Sequence, residues 1–305
     1  MSPLHFLLLV SICLVWAFHV IVIKTSVDIV PPLSYVAMRM PILALMLAPL
    51  LRWHKGQMVR ILIGGLCFGG LNYAFMFSGL SLTTASVGAV VLESYVVVAT
   101  ILSVLFLNEK VGWKRTLGIA SALIGVLIIS TGDSDALGSK NLPLGAFLLF
   151  LAACCEATGA LFVKKVDGVK PLQMLAWFAL VGTFVSFIAA SLTGADHFGW
   201  ASSPERGQVL AALFYSVFAA SLFGHSAYYY LLQRVPLSLM APSGLLMTFF
   251  AVLMGVILLS DPVTNRLIVG GLMVVTGVGI VLLRSAQPSR KQVIAATSAQ
   301  SEEAH

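Results

Sequence analysis

Charged residues are scarce in this sequence. Of its 305 residues, 10% are Asp, Glu, Lys or Arg and 59% are apolar, whereas a typical soluble domain has about 25% charged residues. A soluble globule needs a charged surface, and so few charges cannot cover one. The composition therefore excludes a cytosolic enzyme, a nucleic-acid-binding protein and a disordered chain, and it indicates an integral membrane protein.

Cysteine and the common cofactor motifs are also rare or missing. The four cysteines, Cys13, Cys67, Cys154 and Cys155, lie in apolar runs without CxxC spacing, which predicts neither a metal site nor a disulfide framework. The sequence has no GxxxxGK[ST] motif, no strand-associated GxGxxG motif and no HExxH motif. We therefore expect no metal, no cofactor and no nucleotide-driven step.

What the sequence has instead is a series of long apolar runs. A helix needs about 20 apolar residues to cross about 30 Å of hydrocarbon. The runs are too long for barrel strands, and the first lacks the basic start and the cleavage site of a signal peptide. The ten predicted spans are Leu4–Ile23, Leu33–Leu51, Val59–Leu80, Ala85–Leu107, Trp113–Thr131, Pro143–Val163, Leu172–Leu192, Gln208–Leu232, Leu237–Leu259 and Leu267–Leu283.

A polar segment, 132–142, divides these spans into five plus five, over residues 4–131 and 143–284. Residues 285–305 are polar and are predicted to form a disordered tail. With the N-terminus in the cytoplasm, thirteen basic loop residues fall on the cytoplasmic side and four, namely Lys24, Lys140, Arg206 and Arg266, on the other. Because cytoplasmic loops are enriched in Lys and Arg, both termini are predicted to be cytoplasmic.

The two halves of the chain resemble each other. Near the N-terminus a shift of 140 residues places Lys24 on Lys164. From the third span onward a shift of 152 residues relates 108–111 to 260–263, Gly118 to Gly270, Gly125 to Gly277 and Tyr73 to His225. Because each half has an odd number of spans, the second half enters the membrane from the opposite side. This predicts an inverted repeat of the kind that transporters use.

The first half of the chain contains several short motifs. They are Trp16-Ala17-Phe18-His19, Lys24, Pro31-Pro32, Arg39 and Leu107-Asn108-Glu109-Lys110 followed by Gly118 and Gly125, with a weaker second acidic turn at Asp261. In these features residues 4–284 resemble the drug/metabolite transporter superfamily, EamA type. The resemblance implies ten helices around a central cavity lined by helices 1, 3, 4, 6, 8 and 9. It also implies transport of small polar metabolites, amino acids among them, across the bacterial inner membrane.

Two carboxylates inside the apolar runs are candidate binding residues. Glu93 lies near the middle of the fourth span and Glu156 near the middle of the sixth, beside small residues. A charge at the bilayer midplane costs about 2.5–3.5 kcal/mol, so each needs compensation. A carboxyl group that titrates near ambient pH can take up a proton on one face of the membrane and release it on the other. Glu93 and Glu156 are therefore candidates for binding protons or a cationic substrate. The alternatives are a protonated or hydrogen-bonded structural carboxyl, and a loop or kink that the pattern does not predict.

Aromatic and hydrogen-bonding residues in the spans form a second group of candidates. Such side chains can hold an amino acid or an amine through hydrogen bonds and cation–π contacts. The alternative is that they pack in the core or face lipid. The candidates are His19, Trp16, Asn72, Tyr73, His225, Tyr228 and Tyr229.

Three further ionisable residues receive structural interpretations. Arg39 in the second span can neutralise a substrate carboxylate or pair with an acid, but the favoured interpretation is that it snorkels toward the membrane surface or satisfies a helix end. Glu109 and Asp261 stand before the fifth and tenth spans. A carboxylate at the start of a helix caps free N–H groups, so each is expected to cap the helix that follows it.

The sequence thus predicts an all-α integral membrane protein with two inverted five-helix repeats around a central cavity. The favoured function is a monomeric secondary exporter of small polar metabolites, such as amino acids or organic cations, that works by alternating access, with proton coupling as an addition. Two alternatives stay open: a membrane sensor or structural protein that transports nothing, and an intramembrane enzyme.

Overall fold

The computed structural model describes residues 2–107, 112–132, 134–135, 139–232, 234–235 and 243–285. These residues form helices and loops, with no strand among them. The turn 108–111 with Glu109, the middle of the 132–142 linker and the tail 286–305 lie outside the described residues, as does the side chain of Tyr229.

Ten helices follow one another in the described parts of the chain. Nine are long and apolar enough to span a membrane, and α9 is a shorter apolar helix. They are α1, Pro3–Val27; α2, Pro32–Leu47; α3, in segments Met58–Gly64, Gly65–Asn72 and Tyr73–Leu82; α4, in segments Ala85–Leu92 and Ser94–Leu107; α5, Trp113–Ser130; α6, Leu142–Val163; α7, Pro171–Ser191; α8, in segments Arg206–Phe214, Tyr215–Phe223 and Gly224–Leu232; α9, Ser243–Leu259; and α10, Asn265–Ser285.

Local sequence signals fix where several helices begin. Ser2, Thr84 and Asn141 precede α1, α4 and α6, and each side chain accepts a hydrogen bond from a backbone N–H in the first turn. Such caps satisfy N–H groups that have no partner within the helix. Nine predicted spans match observed helices, because hydrocarbon thickness sets their length and caps set their ends. The ninth predicted span, Leu237–Leu259, matches α9 from Ser243 onward, and its start lies outside the described residues.

The helices pack in a pattern that repeats across the two halves. α1 packs against α9, and the equivalent pair, α6 and α4, packs in the same way. α2 packs against α7 and α5 against α10, so each helix of these two pairs contacts its own counterpart. Such pairings are those of a two-fold relation between the repeats, and large apolar side chains such as Leu45, Phe187 and Leu272 remain exposed on the outside.

Glycines form the contact between α5 and α10. A Cβ atom on Gly118 would lie 2.7 Å from the carbonyl oxygen of Gly277, and one on Gly125 would lie 2.5 Å from that of Gly270. Under the 152-residue shift, Gly118 corresponds to Gly270 and Gly125 to Gly277. Gly118 therefore contacts Gly277, the counterpart of Gly125, and Gly125 contacts Gly270, the counterpart of Gly118. Such a pattern is typical of a self-complementary two-fold contact of small residues.

Wide helical turns occur at matching places in the two repeats. Gly65–Asn72 in α3 and Tyr215–Phe223 in α8 are both π-helical. Such segments are uncommon and tend to occur at functional sites. They end just before Tyr73 and Gly224, so the equivalent residues Tyr73 and His225 follow the two wide turns.

Asp261 corrects one expectation from the sequence. Its carboxylate accepts a hydrogen bond of 2.7 Å from the backbone N–H of Ser86, in the first turn of α4 rather than of α10. The first turn of α10 is capped instead by Thr264, which accepts from Leu267. A carboxylate stabilises whichever helix start lies against it, and the packing of α4 beside the 260–264 loop decides which one.

Candidate substrate-binding site

The π-helical segment of α8 carries a chain of hydrogen bonds. The hydroxyl of Ser216 lies 3.0 Å from Nε2 of His19 and 2.9 Å from the hydroxyl of Tyr35. The hydroxyl of Ser221 donates to the carbonyl of Ser216 at 2.9 Å. All of these side chains are buried, so α1, α2 and α8 are joined by polar contacts inside the protein.

Arg39 of α2 belongs to the same network. Its Nη2 donates to Ser221 at 2.8 Å, and its guanidinium carbon lies 4.5 Å from the centre of the Tyr73 ring. Only 1% of the residue is exposed. The favoured sequence interpretation, that Arg39 snorkels to the membrane surface, is therefore wrong: α2 packs with this face against α3 and α8, which turns the side chain inward.

Aromatic rings continue the network along α1 and α8. Nε1 of Trp16 donates to the carbonyl of Ala220 at 2.9 Å. The Trp16 ring lies 5.5 Å from that of His225 and 5.4 Å from that of Tyr228. Nδ1 of His225 lies 3.0 Å from the carbonyl of Ser221; because a carbonyl only accepts, this nitrogen carries the proton.

Glu93 occupies the break between the two segments of α4. Its Oε1 accepts a hydrogen bond of 2.5 Å from the hydroxyl of Thr248 in α9, and only 8% of the residue is exposed. A Cβ atom on Gly244 would lie 3.5 Å from the same oxygen. A Cβ atom there would make an ordinary van der Waals contact, so the start of α9 lies close to the Glu93 carboxylate.

Glu156 of α6 lies close to Asn72 of α3. The Asn72 amide nitrogen donates to the carbonyl of Ala152 at 2.9 Å and approaches Oε2 of Glu156 at 3.4 Å. Glu93 and Tyr95 of α4 both lie within electrostatic reach of Glu156. The two carboxylates that the sequence singles out therefore share one region.

Together these contacts divide the polar interior into two halves. The basic half contains Arg39, His19 and His225, which lie within electrostatic reach of one another. The acidic half contains Glu93 and Glu156. Tyr73, which contacts Arg39, and Asn72, which contacts Glu156, are consecutive in α3, so the two halves adjoin.

Several of these side chains are only half-buried. They are Trp16, Tyr73, Tyr95, Glu156, His225 and Tyr228. A small-molecule site typically combines aromatic side chains with a few convergent polar groups, and this group of residues has that composition.

The predicted candidates Trp16, His19, Asn72, Tyr73, Glu93, Glu156, His225 and Tyr228 thus lie in the interior, in contact with one another or with shared partners. Sequence reasoning left Arg39 out of this set and did not find Ser216, Ser221, Tyr35, Thr248 or Tyr95. A signal for Arg39 existed, because it is the one charged residue in the second predicted span. Serine and threonine carry no comparable signal, since both are ordinary residues of membrane helices.

Comparison with known proteins agrees with this architecture. The model of the EamA-like transporter family matches the chain twice, over residues 4–131 and 143–283. The chain belongs to the EamA-like transporter family. In this family member the two matched stretches coincide with the five helices before and the five helices after the 132–142 segment.

Named relatives of this EamA-like protein occur in bacteria. A Salmonella typhimurium protein named "Probable amino-acid metabolite efflux pump" is 26% identical over 277 residues, which cover 88% of this chain and 91% of the relative. An Escherichia coli protein of the same name is 25% identical over 287 residues, covering 92% and 95%. These matches place the chain among multi-pass membrane transport proteins.

The fold also matches a solved structure. A crystal structure superposes with a TM-score of 0.61 at 16% sequence identity, covering 94% of this chain and all of the other. At this identity the likeness concerns the fold alone. It agrees with the ten-helix architecture described above.

Proposed function

We propose that this protein is a secondary exporter of small polar metabolites, with amino acids as the leading substrate class. Residues 4–131 and 143–284 act as two inverted repeats that expose the polar interior alternately to each face of the membrane. Both termini lie in the cytoplasm, and the protein works as a monomer.

The observation that carries this proposal is the position of the polar residues. Arg39, His225, Glu93 and Glu156 lie inside an apolar helical bundle, on helices of both repeats. Burying ionisable groups at membrane depth is costly, so such groups mark substrate and ion pathways. A purely structural helical bundle does not need both basic and acidic side chains in its interior. The names of the Salmonella and Escherichia coli relatives support export and amino acids.

We propose further that Glu93 and Glu156 couple export to protons. Two carboxylates within electrostatic reach of each other repel when both are ionised, so one proton bound between them is favoured. The partial exposure of Glu156 supports access by protons. A cationic substrate group can replace this proton at the acidic half.

Transport in proteoliposomes tests the proposal. Purified protein is reconstituted with an internal pool of twenty unlabelled L-amino acids, and entry of each labelled amino acid by counterflow is measured against empty liposomes. We expect exchange of a subset of the amino acids. If neither any amino acid nor organic cations such as tetraethylammonium exchange, the transporter proposal is wrong and the sensor alternative gains.

A further inference from the structure

The buried guanidinium of Arg39 has hydrogen-bonding capacity that the described residues do not use. Nη2 donates to Ser221. Nε and Nη1 are buried and have no hydrogen-bond partner among the residues that the structure describes. Buried N–H groups of native proteins nearly always have a partner. Two such donors on one side chain therefore point to a bound group that satisfies them.

Arg39 forms no ion pair among the residues that the structure describes. Its ionisable neighbours within electrostatic reach include His19, His225 and the phenol of Tyr35. None of these supplies a negative charge to neutralise the guanidinium. A buried charge without a counterion is costly, and an arriving anion relieves that cost.

The surroundings of Arg39 favour one kind of anion. Ser221 and the Tyr73 ring hold the guanidinium plane in place. A fixed planar guanidinium presents parallel N–H groups that match the two oxygens of a carboxylate. Tyr73 and His225 beside it are only half-buried, so the surroundings of Arg39 are not completely closed.

We propose that Arg39 binds the carboxylate of the transported substrate. This inference rests on the proposed function and narrows it: the substrates are molecules that carry a carboxylate, such as amino acids, and not organic cations that lack one. Arg39 anchors the acid end of the substrate, and the adjoining acidic half faces its remaining groups. The site explains why a charge without a counterion persists in the membrane interior.

Pairs of carboxylates and their amides test the proposal on the unmodified protein. The melting temperature of the protein in nanodiscs is measured with acetate or acetamide, L-alanine or L-alaninamide, and L-phenylalanine or L-phenylalaninamide. We expect at least one acid to raise the melting temperature while its amide raises it less or not at all. If no acid stabilises the protein more than its amide does, the proposal is overturned.

Two variants and one control then locate the effect. Arg39→Gln removes the charge and is expected to abolish the preference for acid over amide. Arg39→Lys keeps the charge but lacks the two parallel N–H groups of the guanidinium. It is expected to weaken the apparent affinity for the acid at least about tenfold, which corresponds to the loss of one charge-assisted hydrogen bond. Arg60, an exposed arginine that donates to the carbonyl of Lys165, provides the control: Arg60→Gln retains the preference.

A purely structural role for Arg39 gives a different pattern. In that case Arg39→Gln lowers the melting temperature of the ligand-free protein but keeps the preference for acid over amide, and the proposal fails. If Arg39→Gln does not fold, the acid and amide comparison on the unmodified protein decides alone. The proposed function can fail separately. If the protein prefers acids over amides but moves no amino acid in proteoliposomes, the Arg39 site stands and amino-acid transport is excluded.

Discussion

Thr248 of α9 donates a hydrogen bond of 2.5 Å to Glu93, which stands at the break in α4. This bond connects the fourth helix of one repeat to the fourth helix of the other. α4 and α9 are equivalent helices, yet the contact is asymmetric, because the 152-residue shift places Leu245 where the first repeat has Glu93. The two repeats therefore share their architecture but differ in their polar side chains at this position.

The Thr248–Glu93 bond is expected to stabilise the protein. Thr248→Val keeps the shape of the side chain but removes the donor, and leaving a buried carboxylate without it costs about 1–3 kcal/mol. Thr248→Ser keeps the hydroxyl and provides the matched control. We expect a clearly lower melting temperature for the valine variant than for the serine variant. Equal losses in the two variants would show that methyl packing, not the hydrogen bond, matters at this position.

Glu156 is expected to make transport sensitive to a pH gradient. Glu156→Gln keeps the size of the side chain, but the amide cannot take up and release a proton. We therefore expect substrate exchange to persist while a pH gradient no longer drives accumulation. Proteoliposomes with and without an imposed gradient measure this difference. Glu205→Gln, at an exposed loop position, serves as the control and should respond to the gradient as the parent protein does. Unchanged gradient responses in both Glu156→Gln and Glu93→Gln would exclude proton coupling through this pair.

Alanine substitutions at two neighbouring glycines of α10, Gly270 and Gly271, are expected to differ in their effect on stability. A Cβ on Gly270 would lie 2.6 Å from a side-chain carbon of Ile129 and 2.7 Å from the carbonyl oxygen of Gly125, whereas a Cβ on Gly271 would meet nothing closer than 3.9 Å. Gly270→Ala is therefore expected to cost about 1–3 kcal/mol through overpacking, and Gly271→Ala to cost little. Melting temperatures in the same detergent compare the two variants. Equal melting temperatures would mean that the helices separate without penalty.

The orientation of the chain can be tested by labelling. Single cysteines are introduced at Lys55 and Lys140 after the four native cysteines are replaced. If the excess of basic residues sets the orientation, a membrane-impermeant maleimide labels position 140 in intact cells, and position 55 reacts only after lysis. The reverse pattern would place both termini outside.

Much of the fold was predictable from the sequence because the bilayer limits the possibilities. A helix must be about 20 residues long to cross the hydrocarbon, so apolar runs give the number of helices, and caps such as Thr84 give their starts. The equivalence of Gly118 with Gly270 and of Gly125 with Gly277 indicated the repeat, and the structure puts these glycines in contact. Intramembrane Glu93, Glu156 and His225 stood out as candidates because ionisable residues are rare at that depth.

Tertiary packing alone decided which partner each polar group meets. The sequence placed Asp261 before α10, but the carboxylate binds the start of α4, because the loop that carries Asp261 packs there. It placed Arg39 in a span, yet only the packing of α2 against α3 and α8 turns the guanidinium toward Ser221 and Tyr73 instead of the membrane surface. Length and apolarity are properties of one helix and can be read along the chain. The partners of a hydrogen bond or a charge lie on other helices, so they exist only once the helices have packed.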